Sequence, residues 1–286
     1  MFLQTRYFSK YRYNYGFLKK YGDNCYKLSI FNARKHSGVE RKSAITSFAR
    51  KGTVNESKLQ CNLSRTRNTI FELAYCNPWE FFVTFTLDKA KYDRTDLKKF
   101  QKDLSQFIRD IGKKHGIHVK YLLIPEQHKD GCWHMHGFLM GLPLEHLHEF
   151  QQTEHLPYKI LNRLKQGKRV FDWPAYSRKF GFSDIEIVEN NEAASRYITK
   201  YITKEAFHTI KDLNAHIYYA SKGLARATVE HQGIVAHALE YPDFENEYCH
   251  VKWFNDKQSA LVYFESEVLD PQSCFYPNTF AIGSPE

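Results

Sequence analysis

One segment, residues 119–140, restricts the fold more than any other. Two runs rich in β-branched and aromatic residues flank a Lys-Asp-Gly turn, so the segment reads as a β-hairpin. An earlier run, Phe81–Leu87, reads as another strand, with Val83, Phe85 and Leu87 on one face and Phe82, Thr84 and Thr86 on the other. Between them Leu97, Phe100, Leu104, Phe107, Ile108 and Ile111 recur at helical spacing. Thr95 is placed to cap that helix, and Gly112 or Gly116 to end it. Ser64 is placed to cap a helix reaching Leu73, and residues 143–150 predict a short helix. Residues 184–189 alternate as a strand, residues 192–207 predict a helix, and residues 216–220 a last strand. This order favours an α+β fold, an antiparallel sheet with its helices on one side. Residues 155–182, rich in Lys, Arg and aromatics, read as an insertion.

Eight of the 14 histidines lie within residues 115–155. Two of them, His134 and His136, stand at i and i+2 on the second hairpin strand, so both imidazoles point to one face. Glu126 on the preceding strand is the candidate third ligand, and register decides whether it reaches them. A two-residue turn, Asp130-Gly131, turns Glu126 to the wrong face. A three-residue turn, Asp130-Gly131-Cys132, sets His128 opposite His134 and Glu126 opposite His136, and this is the register expected. Two imidazoles and one carboxylate with open positions suit Mn²⁺, and tolerate Mg²⁺ when phosphate and water complete the shell. Zinc hydrolases use the same donor types, but the helical HExxH arrangement is absent here. The second His-x-His, His146-Leu147-His148, falls in the expected short helix, where its rings diverge.

Downstream, YITK occurs twice in succession. On a helix Tyr197 and Tyr201 are i, i+4 neighbours, with Lys200 and Lys204 beside them. Ala194, Ile198, Ile202 and Ala206 form a separate apolar stripe, so packing does not need the tyrosines. A phenol with an ordinary pKa near 10 is a poor nucleophile at neutral pH. It becomes effective when a phosphate is held in line and a metal polarises its oxygen.

Charge points to the partner. The net charge is +9, but it is unevenly spread. Residues 1–75 carry 15 basic and 4 acidic residues, net +11; residues 76–239 are net +5; residues 240–286 are net −7. The front of the chain interleaves cations with aromatics (Arg6, Tyr7, Phe8, Lys10, Tyr11, Arg12, Tyr13), a composition suited to phosphates and unpaired bases. With 42% hydrophobic residues the chain can bury a core, which excludes a disordered tail. No apolar run long enough for a membrane span or a signal peptide is present, and the six cysteines are scattered without a CxxC pair. The expectation is free thiols in a reducing compartment.

Three segments then coincide in order: FFVTFTLD, PEQHKDGCWHMHGFL and YITKYITK. Over residues 65–225 the chain resembles the HUH-type rolling-circle replication initiators of bacteriophages and plasmids, and most closely the branch with two tyrosines. The resemblance implies a ferredoxin-like sheet, also the sheet of RRM modules. It would carry Mn²⁺ or Mg²⁺ on His134, His136 and Glu126. It implies Tyr197 and Tyr201 as alternating nucleophiles, with Lys200 and then Lys204 as assisting cations. The activity implied is nicking and rejoining of single-stranded origin DNA, through a 5′-phosphotyrosyl intermediate and a free 3′-hydroxyl, in a bacterial host's cytoplasm. Residues 1–64 then form a basic, aromatic-rich extension and residues 226–286 an acidic one. No GxxxxGK[ST] is present, so strand separation would fall to a host helicase, with a host polymerase extending the primer. Alternatives are a relaxase or transposase of the same superfamily, or a non-enzymatic RRM-like module reading bases with Phe82 and Phe85.

Overall fold

The computed structural model describes residues 12–35, 56–201, 217–246 and 249–264. The chain divides into two units, one of residues 52–226 and one made from both flanks, residues 1–51 and 227–286.

The first unit is built on a seven-stranded antiparallel sheet. Its strands are β3 (Phe81–Leu87), β4 (Lys120–Gln127), β5 (Trp133–Met140), β6 (His148–Glu149), β7 (Val170–Asp172), β8 (Gly181–Ile187) and β9 (Tyr219–Ala220), in the spatial order β6-β7-β8-β3-β5-β4-β9. The alternation expected for β3 is seen: Phe81, Val83, Phe85 and Leu87 are buried together. Against them packs α2 (Leu97–His115) through Phe100, Leu104, Phe107 and Ile108. Asp96, rather than Thr95, caps this helix, its carboxylate accepting from the Lys99 N–H, and Gly116 ends it at φ 66°.

The supposed insertion is structural. It supplies α3 (Tyr158–Lys165), β7 and α4 (Pro174–Lys179), and its Trp173, Tyr176 and Phe180 are fully buried in the same core. Tyr176 stacks on Phe85 with centroids 4.4 Å apart. Each such side chain contributes about 1.5–3 kcal/mol by burial.

The α+β class holds, but helices cover both faces of the sheet. On the second face Phe82, Leu122, Ile124 and Phe138 are also apolar and also need cover. They receive it from α1 (Glu56–Tyr75), through Ile70, Leu73 and Ala74, and from α5 (Asn191–Ile198), through Ile198. Trp79 stacks on Phe138 at 5.4 Å. Helix α1 runs straight through Ser64, so that residue is no cap. Residues 144–146 form a 3-10 turn rather than a helix, because the chain must extend again into β6.

In the second unit the two flanks share one antiparallel sheet. Strands β1 (Arg12–Tyr21) and β2 (Cys25–Lys35) pair with β10 (Thr228–Ile234) and β12 (Cys249–Phe254), and β11 (Phe244–Glu245) lies at the edge. Leu18, Leu28, Ile30, Val235 and Phe264 form its core. The basic residues before Arg12 and the acidic residues after Phe264 lie outside the described residues. No helix among the described residues is long and apolar enough to cross a membrane.

Candidate active site

The site is built on the second face of the seven-stranded sheet. Register sets its rows. Glu126 stands opposite His134, and His134 opposite Thr86. In the next row Ile124, His136, Thr84 and Asp184 follow across four strands. The three-residue turn is therefore corrected. The hairpin closes through residues 128–132, with the His128 N–H donating to the Cys132 carbonyl and the Gly131 N–H to the His128 carbonyl. Gly131 adopts φ 81°, where only glycine is unstrained. The register is displaced by two residues from the expected one. A displacement of two keeps every side chain on its own face, so Glu126 still joins the histidines.

Each histidine is held by a threonine that sequence reasoning did not single out. Thr84 Oγ1 lies 3.0 Å from His136 Nδ1, and Thr86 Oγ1 lies 3.0 Å from His134 Nδ1. The signal was present, since Thr84 and Thr86 share the i, i+2 spacing of the histidines on the neighbouring strand. With Nδ1 engaged on both rings, both Nε2 atoms are left for the site. Glu126 Oε2 lies 2.8 Å from His136 Nε2. The contact is close but off the hydrogen-bonding direction, and this nitrogen is buried with no hydrogen bond made. Burial lowers the pKa of His134 to about 4, helped by any charge on His128 and His136. Burial also lowers that of His136, with the Glu126 carboxylate opposing. Both rings are neutral near pH 7, as metal ligands must be.

Among the described residues no three His, Cys, Asp or Glu side chains converge on one ion position. His134 is stacked on His128, centroids 3.8 Å apart, while Glu126 rests against His136. The donor set still fits a divalent cation. The orphaned Nε2 of His136, the threonine-held Nδ1 atoms and the adjacent carboxylate are what an oxygen- and imidazole-binding ion requires.

The tyrosines meet this face from above. Asn190 caps α5, accepting from the Ala193 N–H, and Asn191 Nδ2 donates to the Tyr75 carbonyl at 3.0 Å, tying α5 to the end of α1. A 3-10 turn, Thr199–Tyr201, follows α5 where a continuous helix was expected; residues 202–216 lie outside the described residues, and Lys204 with them. The ring of Tyr201 stacks on His136, centroids 4.3 Å apart and planes 11° from parallel. Its hydroxyl donates to that of Tyr197 at 3.1 Å. Tyr197 is 44% exposed and packs edge-on against Phe82 at 5.5 Å. Lys200 Nζ lies 4.9 Å from the centre of the Tyr197 ring. Burial, then the Tyr197 hydroxyl, push the pKa of Tyr201 well above that of a free phenol.

Residues 80–206 match the family model of the ORF2-type replication-associated proteins. No curated protein and no solved structure matches the chain. The matched segment contains β3, the hairpin β4–β5, α5 and both tyrosines, so it spans the whole site just described. The match supports a replication-associated role and DNA as the partner.

Other sequence candidates fall elsewhere. His146 packs against His115 at 4.6 Å, and His148 pairs with Glu154 at 3.2 Å, so the second His-x-His stays apart from the site. Phe82 and Phe85 lie on opposite faces, and Phe85 is fully buried, so they cannot form an RRM-like stacking pair. Asp184 and Glu186, on β8 beside the site, are clamped by Arg163 of α3.

Proposed function

We propose that this chain initiates rolling-circle replication by cutting and rejoining single-stranded DNA with Tyr197 and Tyr201, as in the two-tyrosine HUH enzymes it resembles. The observation that carries this reading is the placement of Tyr201. Its ring lies on a candidate metal-binding histidine while its hydroxyl touches the hydroxyl of the second tyrosine. Three distant segments, β4–β5, β3 and α5, supply this group, and simple packing does not require it.

His134, His136 and Glu126 would hold Mn²⁺ or Mg²⁺. When bound, such an ion supplies charge neutralisation at the scissile phosphate. Thr84 and Thr86 fix the ring orientations. A tyrosine oxygen attacks phosphorus, the P–O3′ bond breaks, and the products are a 5′-phosphotyrosine and a protonated 3′-hydroxyl. By donating its hydrogen bond, Tyr201 stabilises developing charge on the Tyr197 oxygen, so Tyr197 is the better first nucleophile. Lys200 adds positive charge beside that ring. Tyr201 then serves the second cleavage, which releases and closes the displaced strand. The chain would act in a bacterial cytoplasm, with host helicase and polymerase.

The test incubates an origin oligonucleotide with protein and Mn²⁺ or Mg²⁺ and resolves the products on a denaturing gel. A covalent protein–DNA band that disappears with EDTA, and in the Tyr197→Phe/Tyr201→Phe variant, is the expected result. No band across single strands spanning the source replicon overturns the proposal.

A further inference from the structure

A groove of about 1130 Å³ opens beside the tyrosines, between β8, the start of α5 and helix α3. Small-molecule pockets span roughly 300–1,000 Å³, so an extended polymer is the better match for an open cleft of this size. Tyr197 lines the groove as well as the site, so whatever lies in one continues into the other.

Its far wall is α3 and the turn after it. Tyr158, at the first position of α3, is 79% exposed and lines the groove. An exposed ring costs hydration and has no packing role, but it offers a stacking face to an unpaired base. Asn162 and Gln166 follow on the same wall, with amides able to bond base edges. Lys159 and Lys168 supply cations. Two further cations on this wall are already engaged: Arg163 by Asp184 and Glu186, and Arg169 by both carboxylate oxygens of Glu149. Lys168 lies 3.9 Å from Glu186 in a largely exposed pair, which solvent screening leaves weak. Arg163 therefore shapes the wall, and the two lysines are the phosphate ligands.

We propose that this groove holds the single-stranded DNA adjoining the cleaved phosphodiester, with Tyr158 stacking on a base and Lys159 and Lys168 taking phosphates. The inference rests on the reading of the site as one that receives single-stranded DNA. It does not depend on the covalent chemistry. Duplex DNA is a poor fit, because its bases offer no free face to Tyr158.

The experiment measures anisotropy of a fluorescein-labelled oligothymidylate with the full chain over a salt series, beside the covalent-adduct assay. Tyr158→Ala should weaken binding about tenfold, and Tyr158→Phe should restore it. Lys159→Ala/Lys168→Ala should shallow the slope of log affinity against log salt by about 1.4, from roughly 0.7 per phosphate contact on a single strand. Parent-like affinity and slope in these variants, with the adduct still forming, overturn the groove and leave the cleavage reading intact. Weakened binding in the variants, with no adduct from the parent, supports the groove and overturns the cleavage reading instead.

Discussion

The ring of Tyr201 lies parallel to that of His136, centroids 4.3 Å apart, so a candidate nucleophile is seated directly on a candidate metal ligand. The stack also explains the burial that raises the phenol's pKa. Tyr201 is therefore protonated in the resting protein and needs a bound phosphate and cation to react.

If both tyrosines act, Tyr197→Phe and Tyr201→Phe should behave differently from the double variant. Each single variant should still form a covalent adduct on a linear oligonucleotide and fail to produce closed circles. The double variant should do neither. A single substitution that abolishes every adduct would instead indicate one working tyrosine, as in a relaxase.

Thr84 and Thr86 reach the site only through the histidine Nδ1 atoms. Thr84→Val or Thr86→Val should raise the Mn²⁺ concentration needed for half-maximal adduct formation about 10–100-fold. Saturating metal should recover most of the activity, whereas Glu126→Gln or His136→Ala should not be rescued so easily. Unchanged metal dependence in both threonine variants would remove them from the site.

Arg163→Met should destabilise the protein and make its stability depend on pH. The guanidinium offsets the carboxylates of Asp184 and Glu186, and the burial of Asp184 already raises its pKa. Removing one partner of a fully buried pair costs about 3–5 kcal/mol; here solvent reaches all three groups, and about 1–3 kcal/mol is expected. An acid whose folded pKa is raised loses stability as pH rises through that range. The gap in melting temperature between variant and parent should therefore be widest near neutral pH and narrow as pH falls toward the carboxylate range. Thermal unfolding at several pH values checks this, and a pH-independent gap would count against it.

Gly137 separates His136 from Phe138 where β4 and β5 press together. A Cβ there would lie 1.9 Å from the Leu122 carbonyl oxygen. Gly137→Ala should cost at least the ~1–3 kcal/mol of ordinary overpacking, because the obstacle is backbone and cannot rotate away. Melting should fall by about 2–4 °C for each kcal/mol lost. A melting temperature equal to the parent's would show that the strands can part without cost.

Local periodicity is enough to place His134 and His136 on one face, because side chains alternate strictly along a strand, and to bring Tyr197 and Tyr201 together one helical turn apart. Membership of Glu126 in that face also follows, since any even displacement of the hairpin preserves it. Which residues stand opposite one another is a different matter. Register depends on the turn, and five residues rather than three close it here. Pairing with β3 brings Thr84 and Thr86 to the histidines from a strand about 50 residues earlier in the chain. The second helical layer was equally hidden. Phe82 alone gave little sign that its face must be covered, and the need appears only when Leu122, Ile124 and Phe138 line up beside it. That cover sets Tyr201 on His136 and leaves the groove toward α3. Chain-local patterning carries the chemistry of each segment; the distances between segments come from packing, which no single stretch of sequence contains.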